Sequence, residues 1–241
     1  MIDTHAHLDL LDDADAALAR AGDAGVTRVL TIGTAQAVGL AATHEGVYAV
    51  VGVDPHAAAG PVDLDGLREL LAHPKAVAVG EIGLDYYRDT APRAAQQELF
   101  AAQLDLAAEV AKPVVIHTRD AEDDTERMLR RHDGTVVLHC FSSPRLLPAA
   151  LEHGWYVSFA GNATFPKAVD LRLAAREVPA DRILAETDSP YLAPQPVRGR
   201  PNEPAYVVHT LAALATARDE DADELASRID ANASACFGLR T

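Results

Sequence analysis

The stretch Ile2-Asp3-Thr4-His5-Ala6-His7-Leu8 (IDTHAHL) begins the chain as a short apolar run that contains two histidines. We predict a strand over residues 2–5. Side chains alternate between the two faces of a strand, so His5 and His7 point the same way and lie a few ångströms apart. Such a pair either shares a ligand, for example a metal ion, or forms the polar start of a surface strand. A bare His-x-His motif is too short to decide.

Short apolar runs rich in valine and isoleucine recur along the chain, with helical segments between them. The predicted strands cover 2–5, 28–32, 47–53, 76–81, 114–117, 136–139, 156–158 and 183–186. The predicted helices cover 12–24, 64–72, 94–111, 121–131, 145–152, 167–177, 205–217 and 222–236. Strands that alternate with helices indicate parallel βαβ units, and eight of them favour an α/β fold with a single (β/α)8 TIM barrel. One of the last two helices is expected to be the eighth barrel helix.

Composition and charge limit the class of protein. The chain has 241 residues, of which 49% are hydrophobic and 24% charged, and its formal net charge is −15. We expect one globular domain over residues 1–241, with no membrane span. No leader precedes the first strand and two cysteines form no disulfide framework, so we expect a cytoplasmic protein. The acidic surface argues against a protein that tracks long duplex DNA.

The predicted strands end in residues that bind metals. In a TIM barrel the active site lies at the C-terminal ends of the strands. The side chains expected there are His5, His7, Glu81, His117, His139 and Asp188. Six such groups exceed what one tetrahedral zinc needs, and a carboxylate can bridge two cations. The sequence therefore predicts a site for two divalent ions, and Zn²⁺, Mg²⁺ and Mn²⁺ all suit its mixed nitrogen and oxygen donors.

Six separated motifs carry a resemblance to a known family. They are IDTHAHL, GEIGLDYYR (80–88), VIHTRDA (115–121), LHCFSS (138–143), ETDSPYLAP (186–194) and RGRPNEPAYV (198–207). In this order the motifs resemble those of the TatD family of metal-dependent hydrolases, a branch of the amidohydrolase superfamily. The resemblance spans nearly the whole chain. It implies a TIM barrel, divalent metals and a phosphodiesterase activity, usually described as deoxyribonuclease.

The resemblance also implies roles for individual residues. One cation would lie on His5, His7, Glu81 and Asp188, and the second on Glu81, His117 and His139. Glu81 would bridge the two ions, and Asp188 would also accept the proton of the attacking water. Glu81 and Asp188 are therefore the predicted catalytic residues.

Two positions depart from the family pattern. The family usually has Gly-x-His-Pro after the third strand, whereas this chain has Asp54 before Pro55. Ser143 stands where a glycine is common. Both changes are expected to affect substrate contacts more than metal binding.

Several polar and aromatic side chains are candidates for substrate contacts. His56 follows the third strand, where a substrate contact and a structural hydrogen bond are both compatible with the sequence. Arginines in the predicted loops after strands can hold phosphate by bidentate hydrogen bonds, or they can be solvated. These arginines are Arg88, Arg119, Arg198 and Arg200. Tyr86 and Tyr87 can stack on a base or simply pack at the rim.

Two further residues have structural predictions. Cys140 is expected, by strand alternation after His139, to face away from the barrel interior as a small buried side chain. Asn202 is expected to cap a helix that has Pro204 in its first turn.

The predicted activity is cleavage of DNA at strand ends or in short oligonucleotides, with no membrane and no obligate protein partner. An amide or ester hydrolase of the same architecture is the first alternative, since the fold does not set the substrate. A metal-binding scaffold without activity is the second. A scaffold would have no need of a base such as Asp188, so the presence of this residue argues against the second alternative.

Overall fold

The structure is a computed structural model that describes residues 1–239, and its centre is a sheet of eight parallel strands. The strands are β1 (Ile2–Ala6), β2 (Arg28–Gly33), β3 (Val47–Val51), β4 (Ala76–Asp85), β5 (Val114–Arg119), β6 (Val136–Leu138), β7 (Tyr156–Phe159) and β8 (Ile183–Ala185). Each strand pairs with the next one along the chain. The backbone just after β8 returns to β1, because Asp188 donates its N–H to the carbonyl of His5 at 2.9 Å. The predicted TIM barrel is confirmed.

Helices follow the strands. They are α1 (Ala14–Asp23), α2 (Ala35–Thr43), α3 (Leu64–Leu71), α4 (Arg93–Glu109), α5 (Glu122–Leu129), α6 (Leu147–His153), α7 (Val169–Glu177), α8 (Val207–Arg218) and α9 (Ala222–Phe237). Helix α2 is missing from the sequence prediction, because its buried positions are small alanines that form only a weak apolar stripe. Helix α9 packs on both β8 and β1, so it takes the place of the eighth barrel helix.

Strand β4 is longer than predicted and is buried along its whole length. The prediction ended it at Glu81, but the strand continues to Asp85, with an irregular register against β5 between Gly80 and Ile82. Gly83 has φ +139°, and a Cβ at this position would lie 2.0 Å from the carbonyl oxygen of His117. Glycine is therefore required where β4 and β5 approach each other.

Strand β6 is shorter than predicted and ends at Leu138, one residue before His139. Strand alternation therefore does not extend to Cys140, which has a left-handed φ of 44°. Cys140 as a whole residue is partly exposed. The prediction that strand alternation turns Cys140 away from the barrel interior is wrong, because this residue belongs to the turn after the strand.

Asn202 does not cap a helix. The short 3₁₀ helix Pro204–Tyr206 begins after Glu203 and has no side-chain cap. The buried amide of Asn202 instead donates to the carbonyl oxygens of Thr187 (2.8 Å) and Tyr191 (2.5 Å). A buried amide must satisfy its donors, and here the nearest acceptors belong to the loop after β8. Asn202 thus holds that loop in place.

Within residues 1–239, none of the helices combines the length and the apolar character that crossing a membrane requires.

Candidate metal centre

The six predicted ligand side chains lie together at the C-terminal end of the barrel. His5, Glu81 and His117 belong to β1, β4 and β5, and His7, His139 and Asp188 come shortly after β1, β6 and β8. Five strands of a closed sheet therefore each bring at least one group to the same opening. Their ligand atoms form groups of three within 4.8 Å of one another, which include His5 with His7 and Glu81, and Glu81 with His117 and His139.

The carboxylate of Glu81 lies between two pairs of histidines. Its Oε2 is 3.4 Å from His5 Nε2 and 3.8 Å from His7 Nε2. Its Oε1 is 2.6 Å from His117 Nδ1 and 3.0 Å from His139 Nε2. Each oxygen therefore faces its own set of nitrogens, which is the arrangement that a bridging carboxylate needs.

Asp188 adds a second carboxylate on the side of His5 and His7. Its Oδ1 is 3.8 Å from His5 Nε2 and 3.5 Å from His7 Nε2. The residue has φ +57°, in the left-handed region, which few residues other than glycine adopt and which aspartate adopts more often than most. A strained backbone at a strand end is a frequent feature of functional sites.

These residues fit a divalent cation. Two neighbouring ligands bonded to one ion at about 2.1 Å stand roughly 3.0 to 3.4 Å apart. The distances around His5, His7, Glu81 and Asp188 are close to this spacing. The Nε2 atom of His5 is buried and has no hydrogen-bond partner among the described residues. A buried nitrogen left without a partner costs free energy, and a cation between it and the carboxylates would satisfy it.

Burial and neighbouring charges shift the pKa values of Glu81 and His139 in opposite directions. Burial alone would raise the pKa of Glu81, but the imidazoles of His139 and His117 outweigh it and hold that pKa well below its usual value. Burial would lower the pKa of His139, but the carboxylates of Glu81 and Glu186 raise it well above the usual value. For His5, burial and the neighbouring His139 lower the pKa. The site therefore favours ionised carboxylates and attracts positive charge.

Two buried carboxylates next to the site were not among the predicted residues. Glu186 Oε1 lies 3.0 Å from His139 Nδ1, and its Oε2 accepts a hydrogen bond from Ser158. Asp85 Oδ2 lies 3.2 Å from His117 Nε2. Burial would raise the pKa of Asp85, but hydrogen bonds from His117 and from the Arg88 backbone lower it to about 2. The sequence did contain a pattern that could have identified these two residues. Each is a carboxylate in the same apolar stretch as a predicted ligand, Asp85 with Glu81 and Glu186 with Asp188.

His56 lies beside the cluster. Its Nε2 is 3.6 Å from Asp85 Oδ2, and its ring centre is 5.9 Å from that of His117. Its Nδ1 is 3.0 Å from the Thr90 hydroxyl. Asp54, the departure from the family pattern, accepts the His56 N–H at 2.8 Å and begins the short helix Pro55–Ala57. Asp54 therefore supports the loop that carries His56.

The four predicted substrate-binding arginines are all exposed. Arg119, at the end of β5, places its guanidinium over the ring of Tyr87 at 3.8 Å. Arg198 lies over the ring of Phe165 at 4.0 Å. Arg88 and Arg200 lie in the loops after β4 and β8. These arginines thus lie at the end of β5 or on loops that follow strands, at the end of the barrel where the cluster opens.

The aromatic residues of these loops differ in their contacts. Tyr86 is partly buried and donates its hydroxyl to Asp124 at 2.8 Å, which is a structural contact. Tyr87 is 62% exposed and Tyr191 is 50% exposed. The ring of Tyr191 lies 5.8 Å from that of His7, next to the cluster. Tyr191 was not predicted, although its place three residues after Asp188 was a signal.

Cys140 lies close to the same carboxylates. Its N–H donates to Glu186 Oε1 at 2.8 Å. Burial of the thiol, together with the charges of Asp188 and Glu186, raises its pKa well above the usual value. The thiol is therefore neutral at physiological pH.

Known proteins resemble the whole chain. The family model described as TatD related DNase matches residues 2–238. The uncharacterized metal-dependent hydrolase YcfH of Escherichia coli is 40% identical, over 99% of this chain and 96% of its own length. A protein of Klebsiella pneumoniae named 3′-5′ ssDNA/RNA exonuclease TatD is 37% identical, over 94% of this chain and 92% of its own length.

Solved structures agree with these matches. The crystal structure of YJJV, a TatD homologue from Escherichia coli, superposes with a TM-score of 0.94 at 33% identity, over 100% of this chain and 98% of that chain. The TatD family hydrolase of Entamoeba histolytica has a TM-score of 0.86 at 20% identity, over 98% of this chain and 97% of that chain, which supports the fold alone.

Proposed function

The chain belongs to the TatD related DNase family of metal-dependent hydrolases, and from this premise we propose that it is a dinuclear phosphodiesterase that removes nucleotides from the ends of single-stranded DNA or RNA. The observation that carries the proposal is the placement of Glu81, whose two carboxylate oxygens face separate pairs of histidines. A carboxylate in that position suits two cations rather than one.

The proposed ligands divide into two sets that share Glu81. His5, His7 and Asp188 would complete one set, and His117 and His139 the other. Two divalent ions bound there, Zn²⁺, Mg²⁺ or Mn²⁺, would lower the pKa of a bound water and neutralise charge on the phosphoryl oxygens. A bound cation favours neutral imidazoles and ionised carboxylates, which are the forms that this role needs.

The remaining roles belong to side chains of the chain itself. Asp188 would accept the proton of the attacking water, because it lies at the edge of the cluster and is partly exposed. Arg88, Arg119, Arg198 and Arg200 would hold phosphate groups, and His56 would contact the substrate beside His117. The exposed ring of Tyr87 would stack on a base.

The substrate class is supported by relatives and by charge. Relatives such as that of Klebsiella pneumoniae carry the name of a 3′-5′ exonuclease on single-stranded DNA and RNA. With a net charge of −15, the chain is a poor partner for a long duplex, whereas four exposed arginines at one opening suit a strand end. We propose the same 3′ to 5′ direction for this chain.

The test is hydrolysis of single-stranded DNA and RNA oligonucleotides labelled at the 5′ or the 3′ end. A simple ester and a dipeptide are assayed beside them, with metal-stripped protein to which Mg²⁺, Mn²⁺ or Zn²⁺ is restored. Stepwise shortening of the 5′-labelled strand only with metal is expected. Intact oligonucleotides beside a cleaved ester or dipeptide would reject the nuclease proposal and favour an amide or ester hydrolase. Metal binding without cleavage of any substrate would favour a scaffold.

A further inference from the structure

We propose that Asp85 is a positioning residue that holds the proton of His117 on Nε2 and leaves the lone pair of Nδ1 free toward Glu81. This inference rests on the proposed function in one respect, namely that His117 binds a cation through Nδ1. Asp85 is outside the set of residues for which the family resemblance implies a role.

The carboxylate of Asp85 is held rigidly. The residue is 1% exposed, at the last position of β4. Its Oδ1 accepts the backbone N–H groups of Tyr87 at 3.0 Å and Arg88 at 2.8 Å. Its own N–H donates to Gln96 Oε1 at 2.8 Å, and Gln96 Nε2 donates back to the Asp85 carbonyl at 3.1 Å. With Oδ1 used by the turn, Oδ2 is the oxygen that faces the imidazoles, and the nearer of the two is that of His117, at 3.2 Å against 3.6 Å for His56.

That direction leads to His117. Asp85 Oδ2 lies 3.2 Å from His117 Nε2, and His117 Nδ1 lies 2.6 Å from Glu81 Oε1 on the opposite edge of the ring. An ionised carboxylate only accepts hydrogen bonds, so this contact requires a proton on Nε2. When a cation lies on the side of Glu81, the imidazole binds it through the lone pair of Nδ1, and the one N–H of the neutral ring remains on Nε2 for Asp85.

The same relation occurs at a second histidine with the two nitrogens exchanged. His139 Nδ1 faces the buried carboxylate of Glu186 at 3.0 Å, and its Nε2 faces Glu81 Oε1 at 3.0 Å. Both histidines on this side of Glu81 therefore have a buried carboxylate behind the ring. A carboxylate behind a ligating histidine sets its tautomer and orientation, and its loss typically weakens metal affinity by about 10- to 100-fold.

A different interpretation of these atoms is a third cation between His56, Asp85 and His117, whose ligand atoms also lie within 4.8 Å of one another. The two interpretations cannot both be correct, because they require different states of His117 Nε2. A cation needs the lone pair of His117 Nε2, whereas the hydrogen bond needs a proton there. We favour the hydrogen bond because Nδ1 already faces Glu81, and a ring that bound a cation through each nitrogen would have to lose its last proton.

The variant Asp85→Asn keeps the shape of the side chain, removes its charge and replaces the acceptor that faces His117 by a donor. Its amide oxygen can still accept the backbone N–H groups of Tyr87 and Arg88, while its NH₂ group turns a donor toward His117. The proton of His117 would then move to Nδ1, and the lone pair on the side of Glu81 would be lost. We expect the affinity for one of two Zn²⁺ ions, measured by calorimetric titration, to fall about 10- to 100-fold.

Two controls accompany the titration. Asp63→Asn changes an exposed aspartate that also accepts a backbone N–H, that of Gly66 at 2.9 Å, but lies at the start of α3. It is expected to leave both Zn²⁺ affinities unchanged. Glu186→Gln is expected to weaken one ion in the same way as Asp85→Asn, through His139. Equal affinities for Asp85→Asn and the unsubstituted protein would overturn the proposal.

The tautomer can be observed without any variant, so the test does not depend on the folding of Asp85→Asn. In long-range ¹H–¹⁵N spectra of the Zn²⁺-loaded protein, His117 is expected to show a protonated Nε2 and a coordinated Nδ1. An Nε2 without a proton, together with a third equivalent of Zn²⁺, would overturn the proposal in favour of the third cation. Absence of Zn²⁺ binding would reject the proposed metal site itself. Uncut oligonucleotides with the expected tautomer would reject only the nuclease activity.

Discussion

At the scale of single residues, the placement of Glu81 leads to a prediction about stoichiometry. Glu81→Gln removes the negative charge that the two proposed cations share. We expect cation binding to fall from two ions per chain to at most one, measured by equilibrium dialysis and elemental analysis at a fixed Mn²⁺ concentration. The control is Glu109→Gln on α4, where the carboxylate is exposed and pairs with Arg68. Two ions retained in Glu81→Gln would contradict the bridging role.

Asp188 tests the proposed chemistry rather than the ion count. Asp188→Asn keeps an oxygen that can bind a cation but loses the capacity to accept a proton. We expect kcat on a labelled oligonucleotide to fall by about 10²- to 10⁴-fold, with cation content close to that of the unsubstituted protein. An unchanged kcat would rule out Asp188 as the base.

At the scale of elements, the approach of β4 to β5 predicts a position that tolerates only glycine. Gly83→Ala would place a Cβ 2.0 Å from the carbonyl oxygen of His117 at a φ of +139°. We expect a loss of roughly 3 kcal/mol or more in the free energy of unfolding, and weaker cation binding through His117. Urea denaturation measures the first effect and calorimetric titration the second.

The matched control is Gly39→Ala inside α2, where an added Cβ meets no atom within 4 Å. It is expected to raise the free energy of unfolding by about 0.5 to 1 kcal/mol, because alanine favours a helix more than glycine does. If both alanine variants had the same stability, the steric argument for Gly83 would fail.

The junction of α8 and α9 gives a pH-dependent prediction. Glu220 Oε1 accepts from Arg218 Nε at 2.9 Å, and Oε2 pairs with Arg228. Burial would raise the pKa of Glu220, but the two arginines outweigh it and lower that pKa below 4.5. A carboxylate whose pKa is lower in the folded state contributes stability above its unfolded pKa, and this stability is lost as the pH falls through the folded pKa.

Glu220→Gln is therefore expected to lower the free energy of unfolding at pH 7 by about 1 kcal/mol. The difference should shrink as the pH falls below about 4.5. Thermal denaturation of both proteins over a pH series measures it, with Glu69→Gln on the exposed side of α3 as the control. A difference that stays constant down to pH 3 would show that the carboxylate charge is not its cause.

At the scale of the whole molecule, bound cations should stabilise a barrel that does not need them to fold. Apolar strand residues such as Ile82, Ile116 and Leu138 are buried without any help from a cation, so secondary structure should persist after chelation. An ion present at 100 times its Kd adds about 2.7 kcal/mol. For a chain of this length that corresponds to a rise in Tm of roughly 5 to 10 °C.

Thermal unfolding followed by circular dichroism, before and after treatment with a chelator, measures this shift. Restored Mn²⁺ should return the original Tm. An identical Tm in both states would contradict tight cation binding at the proposed site, and loss of secondary structure on chelation would contradict an independently stable barrel.

The sequence by itself determined the fold and the composition of the candidate site. Alternation of apolar strands with helices is a local pattern, and the C-terminal ends of eight parallel strands meet at one opening even when their bounds are shifted by a few residues. For this reason His5, His7, Glu81, His117, His139 and Asp188 could be predicted to lie together.

Only the tertiary structure decided what surrounds these six residues. Asp85 faces His117 because β4 continues past Glu81, and Cys140 turns toward the carboxylates because β6 stops early. Asn202 holds the loop after β8 rather than a helix because its nearest acceptors, 15 and 11 residues away in the chain, are carbonyl groups of that loop. Each of these outcomes depends on a backbone irregularity or on a partner distant in sequence, and neither leaves a local pattern in the order of residues.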